Sequence, residues 1–493
     1  MSSAAAVPGF ARRDRLVLAV CLAAGFTTLL DQSVLNIAVP SLRDALSADA
    51  SQLQWIVAGY SLAFGLALVP GGRLGDLHGR KPYFLFGMAL FVASGVLSSC
   101  AGNAWVVVVS RLLQGFGAGM VNAQVIGTIQ DVFSGPARAR ALGLYAVTAG
   151  AAAALGPPLG GALIAAAGPG LGWRLAVLLN APFGLAALVL AVRYLPRRRT
   201  SAGQAGLDLP GIALFAALTV LIMLPFIRSS GYAVYGVGAC LTAGALVLQQ
   251  YLRARTGKQP LVHPALRRSA PYALGTMVAM AQFGASLAAG MVLALFLQGA
   301  LGLSAMAAAA VMLPQALGMG ATSVFAWRAV GRFGEHRVVT AGLALSAVAL
   351  LASGISTLYV PAAALPVLLG AFQFCAGAAT GLTVAPTQAQ VLRHAPGEAA
   401  GVAGGILQMS QRMAAAVCIS AVSGIYLHGT GTGVSGLRHA YWYAALACAA
   451  IVGAGLLVSV LNRKLGTPLP QVLDVPAPVP AARAATTEEE PAL

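Results

Sequence analysis

Apolar runs of about twenty residues follow one another along almost the whole chain, and charged residues fall mainly in the gaps between them. A run of 18 or more apolar residues is long enough to cross a hydrocarbon layer of roughly 30 Å as a helix. With 58% hydrophobic and only 9% charged residues over 493 positions, the chain cannot be a soluble domain. Its backbone must satisfy its own hydrogen bonds inside a bilayer, and for apolar runs of this length that means α-helices.

The pattern predicts an all-α polytopic membrane protein with fourteen transmembrane helices. Six spans cover 16–39, 54–74, 82–101, 105–129, 141–167 and 173–194. Two follow at 209–227 and 232–252, and the last six lie at 272–297, 304–327, 338–358, 361–384, 400–427 and 441–461. The corresponding organisation is a cytoplasmic N-terminus (1–15), a six-helix unit (16–194), a linking segment with two helices (195–271), a second six-helix unit (272–462) and a tail (463–493). The tail is rich in Pro and Ala, ends in Glu488, Glu489 and Glu490, and reads as disordered. The first span has no small-residue cleavage site after its apolar run and reads as a retained helix.

Cations orient the spans. Arg12, Arg13 and Arg15 precede the first; Arg73, Arg80 and Lys81 follow the second; Arg138 and Arg140 the fourth; Arg193, Arg197, Arg198 and Arg199 the sixth. The same alternation continues to Arg463, Lys464 and Arg483, whereas the other gaps hold only Arg43, Arg174, Arg228 and Arg438. By the positive-inside rule both termini are expected in the cytoplasm, which requires an even number of spans.

The net charge of +17 is therefore a topology signal spread over short loops facing anionic lipid headgroups. It forms no single basic patch, so nucleic-acid binding is not expected. Cys21, Cys100, Cys240, Cys375, Cys418 and Cys448 lie singly within spans, which fits neither a disulfide framework nor a metal site. No metal or cofactor is expected. The preference for Arg over Lys and the Ala-rich spans fit a GC-rich bacterial genome and hence a bacterial cytoplasmic membrane.

Asp31 is the one acidic residue placed inside a span, and an intramembrane carboxylate ordinarily serves an ion or proton pathway. At 1.5 Å per residue it lies ~13 Å below the outer end of span 1, and Arg111 lies ~9 Å below the same surface on span 4. The two are level. A nearby cation favours an ionised carboxylate and burial favours a protonated one, an opposition that suits a proton site. Arg111, Gly115, Ala118 and Asn122, with Gln114 alongside, form one stripe of span 4 that could line a polar cavity or pack small residues against a neighbour.

Between spans 2 and 3 runs Gly72-Arg73-Leu74-Gly75-Asp76-Leu77-His78-Gly79-Arg80-Lys81, a charged turn in which Asp76 can cap a helix or pair with Arg80. Span 5 contains Gly156-Pro157-Pro158-Leu159-Gly160-Gly161, which reads as a hinge or a close helix contact.

These stretches resemble the fourteen-span drug:proton antiporters of the major facilitator superfamily over roughly residues 16–462. The first-span signature is Leu30-Asp31-Gln32-Ser33 with Asn36, Ala38 and Pro40, Ser33 standing where Thr is usual. Gly72 to Lys81 is similar to the loop 2–3 motif, and Arg111 with Gln114 and Gly115 to the fourth-span motif. Gly156, Pro157, Gly160 and Gly161 match the fifth-span motif associated with antiporters. Trp173-Arg174 through Asn180 and Pro182, then Asp208 and Gly211, are like hallmarks of the fourteen-span branch. Gly331-Arg332-Phe333-Gly334 is a degenerate echo of the loop motif where an internal repeat would put it.

The resemblance implies two six-helix bundles with two linking helices, rocking about a central cavity. It implies a monomeric exporter of an amphipathic small molecule, a drug or antibiotic, driven by protons. Asp31 would carry the proton under the influence of Arg111. Gly72, Asp76, Gly79, Arg80 and Lys81 would gate, and the span-5 cluster would seal a bundle contact. Tyr60, Gln114, Asn122, Gln282, Gln373 and Arg412 are candidate cavity contacts. No acidic residue in later spans matches those of some relatives, so dicationic substrates are not expected. A proton symporter importing a metabolite shares the fold, and the span-5 cluster argues against it. A membrane receptor or enzyme would need a catalytic cluster or an output domain, and no segment is polar enough to be one.

Overall fold

The computed structural model describes residues 11–196, 208–228, 230–258, 260–262, 266, 268–395, 400–429 and 433–465. Every regular element among them is a helix: α1 Arg12–Leu46, α2 Ala50–His78, α3 Arg80–Ser99, α4 Ala104–Val132, α5 Gly135–Leu178, α6 Asn180–Tyr194, α7 Leu209–Arg228 and α8 Tyr232–Arg255. Then come α9 Ala270–Gly299, α10 Ala305–Phe333, α11 Glu335–Tyr359, α12 Leu365–Arg393, α13 Ala400–Leu427 and α14 Gly433–Leu465. The tail read as disordered lies outside the described residues from 466 onward, as do the loop arginines 197–199 and Arg267.

The helices run past the predicted spans at many ends. In α1 the cations Arg12, Arg13 and Arg15 and the far-end Arg43 are all helical. Hydrophobicity marks the hydrocarbon layer, but helical hydrogen bonds are equally available in the headgroup region, so nothing stops a helix at that boundary. Helices end instead at local signals. Ser47 takes a left-handed conformation (φ 48°) after α1, and Asp49 and Gln52 form a reciprocal capping box at the start of α2.

Thirteen segments among the described residues are long and apolar enough to cross a membrane. The fourteenth helix, α13, falls outside that group because Gln408, Gln411 and Arg412 dilute its apolar content. α5 is assigned as one helix, yet its backbone leaves helical geometry at Gly168 (φ 75°, ψ 167°). The crossing segments there are Arg140–Gly168 and Gly170–Tyr194. The break thus falls at the glycine that ends span 5, where a positive φ costs nothing, and not at Pro157-Pro158.

Two bundles repeat one packing scheme. In the first, α1 packs on α5 and α6, α2 on α4, and α3 on α4 and α6. In the second, α9 packs on α13 and α14, α10 on α12, and α11 on α12 and α14. The bundles meet along two seams related by the same repeat, α5 against α10 and α2 against α13. The turns repeat too: Gly79 before α3 and Gly334 before α11 have φ 91° and 83° with ψ 147° and 151°. Helix α7 lies over the α2–α13 seam and buries Thr219, Met223 and Ile227, while α8 packs on α7 and buries no residue. Its exposed Val234, Leu241 and Val247 form an apolar face that hydrocarbon tolerates and water does not.

Candidate functional site

Helix α1 carries Asp31 into the first bundle, where 2% of the residue stays exposed. A carboxylate so buried needs partners, and two other helices supply them. Arg111 of α4 donates from Nη1 to Oδ2 at 2.7 Å, and Gln114, one turn on, donates from Nε2 to Oδ1 at 3.0 Å. Asn180, the first residue of α6, donates from Nδ2 to the same Oδ1 at 2.9 Å. Gln114 Oε1 also accepts from Arg111 Nη1 at 2.7 Å, as i,i+3 neighbours on one helix face can. The guanidinium lies 4.2 Å from the ring centre of Tyr60, whose hydroxyl donates to the Thr28 carbonyl at 3.2 Å. Arg111 Nε and Asn180 Oδ1 have no hydrogen-bond partner among the described residues.

The stripe below Arg111 does not line a cavity. A Cβ at Gly115 would run into the Tyr60 carbonyl, and Ala118 is fully buried, so these small residues let α4 press on α2. Asn122, at the end of the stripe, donates to the Tyr145 hydroxyl of α5 at 2.9 Å. Gln282 donates to Thr383 Oγ1 between α9 and α12, and Gln373 to Gln315 Oε1 at 3.3 Å between α12 and α10. Each amide makes one interhelical bond within the second bundle. Arg412 of α13 crosses to the first bundle, donating from Nη1 to Gln32 Oε1 at 2.7 Å.

The loop motif closes on its own bundle. Arg80 pairs with Asp76 at 2.7 Å and with Asp131 at the end of α4 at 2.5 Å. A Cβ at Gly127 would overlap the Arg80 guanidinium, so that glycine makes the room. Lys81 Nζ donates to the carbonyls of Val192 and Leu195 at 2.6 and 3.0 Å, placing a cation on the C-terminal end of α6. Gly79 takes the positive φ the turn requires, and space is open around Gly72. Asp76 has 57% of its side chain exposed.

The span-5 glycines divide between two neighbours. A side chain at Gly156 would strike Ser33, and one at Gly160 would meet Ile37 and Val34, all on α1 of the same bundle. Of the three motif glycines, Gly161 is the one that faces the other bundle, where its missing Cβ would sit 3.0 Å from the Ala305 carbonyl and 3.1 Å from Met306 Cα of α10. Near this end of the molecule, Gln298 of α9 donates to the Ile37 carbonyl of α1 at 3.2 Å. A cavity of about 620 Å³ opens beside these contacts, lined by Arg43, Asp44, Gln298 and Tyr426 among others, and Asp31 is not part of it.

The branch hallmarks are anchors. Arg174 Nη1 donates to the Ser99 and Ala101 carbonyls at 2.7 and 2.8 Å. Asp208 accepts from Gly211 N–H, Gln249, Gln250 and Leu261 N–H, with Arg253 at 3.3 Å. Burial alone would raise the Asp208 pKa; the bonds from Gln250, Gly211 and Gln249 and the Arg253 charge outweigh it and hold it below the ordinary carboxylate value.

The sequence assigns no pairing role to Asn180 or Gln32, although both stand within family signatures, and does not single out Asp131. Asn180 stood within a branch hallmark as the single amide of span 6, the one signal that could have marked it.

Two repeated helical bundles with a buried ion pair in the first give the fold of a polytopic membrane protein. Residues 21–266 match the family model described as Major Facilitator Superfamily. The "Puromycin resistance protein pur8" of Streptomyces alboniger is 32% identical over 468 residues, covering 90% of both chains. The "Probable actinorhodin transporter" of Streptomyces coelicolor is 34% identical over 356 residues, which cover 71% of this chain and 61% of that one. The crystal structure of an auto-inhibited POT family peptide transporter superposes with a TM-score of 0.67 at 16% identity, covering 93% of this chain and 98% of that one. The chain belongs to the major facilitator superfamily, and relatives within it are antibiotic-resistance and export transporters.

Proposed function

We propose that this protein is a proton-coupled antiporter that exports an amphipathic drug or antibiotic across a bacterial cytoplasmic membrane. The observation carrying the proposal is Asp31: a carboxylate 2% exposed, held by Arg111, Gln114 and Asn180, in a chain related to antibiotic exporters. Protonating Asp31 removes the charge that holds Arg111. The guanidinium is then free to re-pair, and with it the packing of α1, α4 and α6 changes. Tyr60, stacked on Arg111, links that change to the interior face of α2. The end carrying the termini is cytoplasmic in this reading, and Asp76 lies exposed there. Asp76, Arg80 and Asp131 then wait on the first bundle for the second to close.

The reading is tested in everted vesicles, with a substrate found by screening cells against antibiotics and dyes. Under an imposed proton gradient, Asp31→Asn abolishes uphill transport while the protein stays folded. Asp76→Asn lowers the maximal rate with little change in apparent affinity. Proton-driven transport by Asp31→Asn at the wild-type rate overturns the proposal.

A further inference from the structure

A buried charge on α13 has no part in that mechanism. Arg412 is 7% exposed, sits midway along α13, and pairs with no carboxylate among the described residues. An arginine in a protein stays protonated, so this is a permanent cation. One of its five N–H donors is engaged, by Gln32 Oε1 of α1. Its guanidinium carbon lies 4.0 Å from the ring centre of Phe64 on α2 and 5.0 Å from that of Phe283 on α9. Tyr60 extends the aromatic wall, its ring centre 6.1 Å from that of Phe64. Gly65 lets the helices approach this closely, since a Cβ there would stand 3.0 Å from Arg412 Cβ. Phe64 is ~21 Å from either end of α2 at the helical rise, so the site is at mid-membrane and is built from both bundles.

We infer that Arg412, oriented by Gln32, Phe64 and Phe283, is the recognition site for the anionic group of the substrate, and that the exported compounds carry a carboxylate or a phenolate. A planar guanidinium offers a carboxylate two parallel N–H bonds, and the Phe64 and Phe283 rings hold the guanidinium in place. A cationic drug at this place meets a like charge that cannot be removed by deprotonation. The proton on Asp31 and the anion on Arg412 occupy different groups, so they couple through the movement of the bundles. The biological sense of this inference rests on the exporter reading, but its test does not.

The test measures binding to the full-length protein in lipid nanodiscs with three probes sharing one ring system: anthracene-9-carboxylate, 9-anthracenemethanol and 9-anthracenylmethylammonium. The carboxylate is expected to bind on the order of tenfold tighter than the alcohol, and the ammonium weakest of all. Arg412→Gln should cost the carboxylate about that tenfold and leave the alcohol unchanged, and Arg412→Lys should restore part of the loss. If Arg412→Gln does not fold, the wild-type ranking decides. An ammonium probe that binds as well as the carboxylate overturns the inference, as does a carboxylate preference that survives in Arg412→Gln, or no binding of any probe. A protein that ranks the carboxylate first but shows no proton-driven efflux overturns the exporter reading and leaves this inference standing.

Discussion

The two bundles share a packing scheme, helix for helix, yet their centres differ in chemistry. Between α1 and α4 the first bundle buries the Asp31–Arg111 pair at 2.7 Å with two amides in support. Between α9 and α12, the corresponding pair of helices, the second bundle buries Gln282 against Thr383, both neutral. The fold therefore does not require charge at that contact. Burying an ion pair is costly, and a well-packed apolar or neutral pair ordinarily serves stability as well. Among the described residues the second half buries no such pair, which points to work that the first half alone does.

The comparison can be broken most directly at Arg111. Arg111→Gln leaves the Asp31 carboxylate without its cation, and removing one member of a buried pair costs about 3–5 kcal/mol. Thermal unfolding of the purified protein should show that loss. The double variant Asp31→Asn/Arg111→Gln should recover most of the stability and none of the proton-driven transport. Additive losses in the double variant would mean that the two residues are not acting as a pair.

A second comparison sets a contact inside one bundle against a contact between bundles. Gly161→Leu must push the α10 backbone away, and overpacking of this kind costs about 1–3 kcal/mol. That shifts a two-state equilibrium by roughly ten- to a hundredfold, so the variant should reach the membrane, lose export and leak protons in vesicles. Gly160→Leu places the same bulk against Val34 and Ile37 within the first bundle, and should lower the melting temperature without a leak. Tight vesicles with normal export from Gly161→Leu would remove the seam from the mechanism.

The smallest effect is expected in the second bundle. Replacing Gln282 and Thr383 together by Leu and Val removes both partners of one hydrogen bond with similar shapes, a change that is nearly neutral, within about 1 kcal/mol. Unfolding and transport should both stay close to wild type. A loss of transport as deep as that of Asp31→Asn would show that the two halves share the coupling after all.

Much of this was legible in the chain. Twenty-residue apolar runs define spans because the hydrocarbon layer has one thickness. The helical rise alone put Asp31 level with Arg111, since depth depends only on distance from a span end. The partners that stayed hidden lie far off in sequence: Asn180 is 149 residues from Asp31, and Gln32 is 380 from Arg412. The helix period says which residues share a face, but not which helix that face meets. Gly160 and Gly161 make the point, being neighbours in the chain whose missing side chains leave room for different bundles. Sequence by itself thus determined the spans, their depth and the isolation of one intramembrane acid. Only the packed structure decided which helices close around that acid and which neighbour each motif glycine makes room for, because contacts between helices follow from side-chain fit across the whole assembly.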